Sequence, residues 1–221
     1  MIIYKFLNAE YALKAIKNGL LKVSEVDKLN DPFEFNGVIY IQATENNNDS
    51  LIKIMRKLAI GCFSKNFSNP TMWSHYSDSH KGIVLGYEVS SDLKENLHSI
   101  HYKHRKIKIY ENGHDVKKDQ KLALKFLKLK SKDWGYENEA RALFYKANCI
   151  EVTNKGQTLF FIDCKEEGLI LKEVILGVNS GLEPSEICLC GLNVHIYKAS
   201  LCKFTYTILR TLQPRPYIFR K

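Results

Sequence analysis

Trp134-Gly135-Tyr136-Glu137-Asn138-Glu139-Ala140-Arg141 stands directly before the apolar run Ala142-Leu143-Phe144-Tyr145. Side chains alternate faces along a β-strand, so a strand over Glu137–Tyr145 would carry Glu137, Glu139 and Arg141 on one side. Its two acids would stand roughly 7 Å apart beside a fixed cation. Such a pair suits chemistry in which one carboxylate holds a hydroxyl or a developing cation and the other orients a nucleophile. The competing reading is a helix with Glu137 paired to Arg141 at i,i+4 on a solvated surface. Taken alone, the octapeptide favours that surface helix; the rest of the chain favours the strand.

Just upstream, Leu122, Ala123, Phe126, Leu127 and Leu129 form the inner face of an expected helix, with Lys121, Lys125, Lys128 and Lys132 outside. Residues 101–132 hold eleven Lys or Arg against three Asp or Glu, most of the chain's net charge of +9. A localised positive field suits a polyanion, so these four lysines are candidate nucleic-acid contacts; a solubilising face is the plainer alternative. Further out, Asn8 and Gly19 bracket a helix over Ala9–Asn18, after a β-prone start at Ile2–Phe6. Leu20–Ser24 is extended, and Val38–Ala43, Gly61–Ser64, Ile83–Val89, Tyr102–Tyr110, Thr158–Asp163, Glu173–Val178, Val194–Lys198 and Phe204–Leu209 read as strands. Leu51, Ile54, Met55 and Leu58 predict a second helix, and Pro184–Leu192 a short one. With no repeat or linker, residues 1–221 read as one α+β domain with a central mixed or antiparallel sheet flanked by helices.

The 221 residues are 45% hydrophobic and 26% charged, enough for a substantial core. No apolar stretch approaches the roughly 20 residues that span a bilayer, and the start lacks a signal-peptide pattern, so the expectation is a cytoplasmic protein without a membrane partner. None of the six cysteines forms a Cys-x-x-Cys. Cys188-Leu-Cys190 with His195 offers metal ligands, although buried free thiols are the simpler reading. Glycine-loop signatures for dinucleotides or phosphates are absent, as is a nucleophile elbow.

Trp73-Ser74-His75-Tyr76-Ser77-Asp78-Ser79-His80-Lys81-Gly82 is dense in rings where a plain loop would carry Gly, Asn and Ser. It reads either as a loop anchored on the core by Trp73 and Tyr76 or as part of a nucleotide site. A metal could use His75, Asp78 and His80, but the spacing matches no zinc signature, so no metal ligand is assigned. Lys5, inside an apolar strand, points either to solvent or to a phosphate or sugar.

Asn30-Asp31-Pro32-Phe33-Glu34, the Met72–Gly82 segment and Trp134–Arg141 together resemble a widespread bacterial domain family of unknown function. Its motifs read roughly Asn-Asp-Pro-Phe-Glu, Trp-Ser-His-Tyr-Ala-Asp-x-His-x-Gly and Trp-x-Tyr-Glu-x-Glu-x-Arg, in this order, with Ser77 here in place of Ala. More remotely the layout resembles the ADP-ribosyltransferase superfamily. There a first strand and a helix ending near Gly-Leu match Tyr4-Lys5-Phe6 and Asn18-Gly19-Leu20, and a late strand bears Glu-x-Glu. The superfamily usually has Arg or His where this chain has Lys5. That resemblance implies a split sheet and an enzyme that uses NAD as substrate. Glu139 would stabilise the ribosyl cation, Glu137 would serve the acceptor, and Arg141 would hold the carboxylates ionised or contact phosphate. Tyr76 would stack on nicotinamide, with Tyr4, Lys5, Trp73, His75 and His80 around it. The acceptor would be nucleic acid or protein, in the manner of a toxin or phage-defence effector with an antitoxin or regulatory partner. The alternatives are a non-catalytic nucleic-acid-binding or signalling module, and a metal-dependent nuclease built on His75, Asp78, His80 and the two glutamates.

Overall fold

The computed structural model describes residues 1–34, 38–41, 53–110, 116–187, 189 and 192–213. In chain order these form β1 (Ile2–Leu7), α1 (Ala9–Asn18), β2 (Leu20–Glu25), β3 (Val38–Ile41) and β4 (Leu58–Ser64). Next come α2 (Pro70–Tyr76), β5 (Ile83–Val89), α3 (Ser91–Glu95), β6 (Leu97–Ser99), β7 (His101–Lys103) and β8 (Ile107–Tyr110). The remainder is α4 (Val116–Leu127), β9 (Leu129–Ser131), β10 (Glu139–Tyr145), β11 (Ile150–Asn154), β12 (Gln157–Asp163), β13 (Leu169–Leu176), β14 (His195–Leu201) and β15 (Ile208–Leu212). The arrangement is α+β, built on one large mixed sheet ordered β11-β12-β2-β4-β1-β5-β13-β14-β15, with β10 along β4 and β6 along β10. Its pairs are antiparallel except β13–β14, while β3–β8 and β7–β9 form small parallel pairs apart from it.

Local chemistry sets the first elements. The Asn8 side chain accepts the Tyr11 N–H at 2.8 Å and Gly19, at φ 69°, stops α1, as the sequence predicts. Alternation then sorts β5. Ile83, Leu85 and Tyr87 join Ala12 and Ile16 of α1 on one face, while Val84 joins Tyr4, Phe6, Met72 and Trp73 on the other. A further cluster sets Leu122, Ala123, Phe126 and Leu127 of α4 against Ile60 and Leu143.

A fork at β4 positions the site. Along one edge β10 pairs from Tyr145 opposite Leu58 to Glu139 opposite Ser64. The other edge is shared: β2 pairs at Ala59 and Ile60, and β1 only at Ser64, through Tyr4. Between those contacts, no described strand pairs with Gly61–Phe63 on this edge. There the Lys5 ammonium donates to the Cys62 carbonyl at 2.9 Å.

Several sequence expectations are corrected. The Trp73–Gly82 segment, read as a loop, opens inside helix α2, which starts because Asn69 accepts the Thr71 N–H and Pro70 fits the first turn. Tyr102–Tyr110 is two strands, and the described residues of Pro184–Leu192 hold a 3-10 turn at Pro184–Glu186 in place of a helix. Leu58 opens β4 instead of ending a helix, and Leu51, Ala43, Cys188 and Cys190 lie outside the described residues. Lys128 and Lys132 fall beyond the end of α4, so the four lysines do not share one helix face. Of the described cysteines only Cys164 is buried; Cys62, Cys149 and Cys202 are partly exposed free thiols.

Candidate active site

The segment Lys132–Glu137 folds as a 3-10 turn. Asn138 ends it at φ 44°, ψ 51°, a left-handed conformation that asparagine adopts more readily than most residues. Only then does β10 begin. Glu137 therefore precedes the strand, against the expectation that all three charged residues lie on it, while Glu139 and Arg141 do share a strand face. The Ser64 hydroxyl donates to the Glu137 carbonyl at 2.6 Å and holds the turn against β4.

The side chains converge on a buried network. Arg141 donates through Nε and Nη2 to the two Glu139 oxygens at 2.8 and 3.1 Å, and through Nη1 and Nη2 to Glu34 at 3.0 and 2.5 Å. Its Nη1 also donates to the Leu127 carbonyl at 3.0 Å, capping α4. The Lys130 ammonium donates to Glu137 Oε2 at 2.6 Å and lies 3.4 Å from both Glu139 and Glu34. The Tyr76 hydroxyl donates to Glu137 Oε1 at 2.6 Å, and the Glu139 N–H donates to the Tyr102 hydroxyl at 2.8 Å. Arg141 is 1% exposed. Removing one partner from so buried a set leaves an uncompensated charge, which typically costs about 3–5 kcal/mol.

The two acids are driven apart in proton affinity. Burial opposes ionisation of Glu139, but the adjoining Arg141 guanidinium outweighs it and takes the carboxyl down to about 2. Burial raises Glu137, and Lys130 only partly offsets it. Burial opposes the charge on Lys130 as well, yet Glu139 and Glu137 hold it protonated. Lys5 is lowered by burial, and the Cys62 thiol is pushed up to about 12 by burial and then by Glu139, so it stays protonated.

The network walls a cavity of about 200 Å³ at the fork. Tyr4, Lys5, Tyr76, Glu137, Glu139 and Arg141 line it together, along with Glu34, Cys62, Ser64 and Lys130. Three residues expected around a nucleotide stand elsewhere. Trp73 is fully buried, donates its indole N–H to the Phe67 carbonyl at 2.6 Å and meets Phe6 edge-on at 5.5 Å. His75 is exposed, with Nδ1 3.0 Å from the Tyr136 hydroxyl. His80 closes a turn in which Asp78, Ser79 and His80 all have positive φ, and its carbonyl accepts the Asn179 N–H. That turn is wedged tightly: a Cβ on Gly82 would meet the Leu7 carbonyl oxygen at 2.1 Å. Among the described residues no group of three or more His, Cys, Asp or Glu is arranged to hold a metal, so His75, Asp78 and His80 build no centre there. Lys121, Lys125 and Lys128 line a separate groove; Lys132 is exposed and does not line it.

Sequence reasoning missed Glu34 and Lys130 as members of the site. Glu34 was visible as the acid closing Asn30–Glu34, where its N–H donates to the Asp31 carbonyl at 2.9 Å. Lys130 gave no signal, being one lysine in a lysine-rich run.

Residues 72–142 match a family described as a protein of unknown function, DUF2971. The matched span takes in both the α2 turn and the start of the charged strand. No curated protein and no solved structure matches the chain.

Proposed function

We propose that this cleft breaks the bond between nicotinamide and ribose in NAD and transfers the ADP-ribosyl unit to an acceptor. The observation that carries the reading is the divergence of two carboxylates in one cavity. Glu139 is held ionised by Arg141, and Glu137 is inclined to take up a proton. Pairs split in this way divide electrostatic and acid–base roles between them.

In the proposed reaction the C1′–N bond breaks and nicotinamide leaves with the bonding pair as a neutral molecule. The positive charge it carried passes to the ribosyl centre, where the fixed Glu139 carboxylate stabilises it. An acceptor X–H then bonds to C1′ through X and gives its proton to Glu137, from which it passes to water. Tyr76 and Lys130, both bonded to Glu137, orient that carboxylate. At about 200 Å³ the cavity is below the roughly 300–1,000 Å³ of sites that enclose drug-sized ligands, so it takes the nicotinamide-ribosyl end and leaves the adenosine outside.

The test is nicotinamide release by the purified protein. Glu139→Gln keeps shape and hydrogen bonding but not charge, and should cut release by about 100- to 1,000-fold with the fold intact. A wild type that neither binds nor consumes NAD sinks the reading; a fully active Glu139→Gln protein sinks the residue's role.

A further inference from the structure

The ribbon β7–β9 stands between the acidic cleft and a basic surface. In its register Tyr102 lies opposite Lys130, and His101 opposite Leu129. Alternation turns Tyr102 and Lys130 toward the carboxylates and leaves His101 and Lys103 exposed on the other side. There they wall a groove of about 420 Å³ with Lys121, Lys125 and Lys128. Lys103 and Leu129 also belong to a second hollow of about 200 Å³, lined by Phe33, Arg105 and Lys106. Lys130 borders that hollow and the cleft alike. The two hollows adjoin at Lys103 and Leu129, and the second is next to the cleft across Lys130. Among the described residues no acid lines either hollow. Phe33 is 62% exposed, with the Lys106 ammonium 5.9 Å from its ring centroid.

We infer that these adjoining hollows form a track that binds a single-stranded nucleic acid and leads it to the cleft at Lys130. Cations spaced along a recess neutralise successive phosphates. An exposed ring among them offers a stacking face that any base can use. A base inside a duplex cannot reach a recessed site, so a base brought to the mouth of the cleft must arrive unpaired. An acidic peptide would satisfy the lysines but not the ring, and a bilayer surface would need a flat face where these cations line hollows. That the strand is also the acceptor, with X–H on a base, rests on the reading of the cleft given above.

Fluorescence anisotropy with fluorescein-labelled mixed-sequence single-stranded DNA and RNA tests the track. The same sequence as duplex and a polyglutamate peptide serve as competitors. The triple variant Lys121→Glu, Lys125→Glu, Lys128→Glu should bind about 100-fold more weakly, and its log–log salt slope should be shallower by about 2. Phe33→Ala should weaken binding about tenfold. Circular dichroism should show both variants folded, and Glu139→Gln should bind the strand as wild type does. Equal binding by the triple variant, preference for duplex, or displacement by polyglutamate as effective as by the strand overturns the inference. Strand binding without any nicotinamide release overturns the NAD reading and leaves the track standing. Nicotinamide release without strand binding does the reverse.

Discussion

Trp73–Gly82 and Trp134–Arg141 both combine rings with charges, yet they direct them to different ends. In the first, Trp73 fills the core, Ser77 donates to the Leu7 carbonyl, and three left-handed residues bring Gly82 against β1. Only Tyr76 of that segment reaches the cleft. In the second, Glu137, Glu139 and Arg141 all do. A chemically suggestive composition therefore does not distinguish a segment that builds the backbone from one that builds the site. Which groups are buried with partners of opposite charge, and which with hydrocarbon, does distinguish them.

Substitutions can break that division or sharpen it. The largest losses are expected at the two buried anchors. Trp73→Ala should lower stability by about 3–5 kcal/mol in urea denaturation while nicotinamide release per folded molecule stays at the wild-type level. Arg141→Met should cost a similar 3–5 kcal/mol, because Glu34 and Glu139 are left buried, and should abolish release as well. Loss of release in folded Trp73→Ala protein would put that segment into the chemistry after all.

Acid should reveal the next effect. A carboxyl lowered from 4.5 to about 2 on folding contributes stability that is fully present above about 4.5 and is lost as pH falls toward 2. Raised Glu137 acts with the opposite sign, favouring the fold where it is protonated and withdrawing that support as pH climbs through its raised value. Wild type should thus lose on the order of 3 kcal/mol across the acid window, and Glu139→Gln should flatten the curve. Equal acid sensitivity in the two proteins would show that the Arg141 pair does not set the profile.

Smaller still is Tyr76→Phe, expected to cost about 1 kcal/mol. The Tyr76 hydroxyl favours the Glu137 carboxylate, so its loss should move the acid limb of transfer to higher pH. An unmoved limb would mean that Glu137 is not the group titrating. Least of all is His75→Ala, on the exposed side of α2, where stability should change by no more than about 0.5 kcal/mol and release not at all.

Elements set by neighbours in sequence were legible. Asn8 and Gly19 mark α1, and the alternation of Ile83–Val89 marks β5. The Glu139–Arg141 pairing follows from two-residue spacing on a strand. Features set by chain crossing were not. Lys130 looks like Lys128 or Lys132 in sequence, and only its place opposite Tyr102, with Glu137 2.6 Å away, makes it a buried cation. Glu34 meets Arg141 across 107 residues of chain, and no periodicity encodes such a pairing. His75 and His80 misled for the complementary reason: imidazoles near one another in sequence were turned apart by a helix and a left-handed turn.

Where β1 and β2 part along β4, the Cys62 carbonyl is satisfied by an amine on a flexible four-carbon stem, not by a peptide N–H fixed in a ladder. A change of rotamer releases such a bond without slipping any strand register. A guest that offers the carbonyl a hydroxyl, or the ammonium an anion, trades one partner for another. The gap in the sheet is thus spanned by a single side chain where a strand would otherwise need a row of fixed peptide bonds.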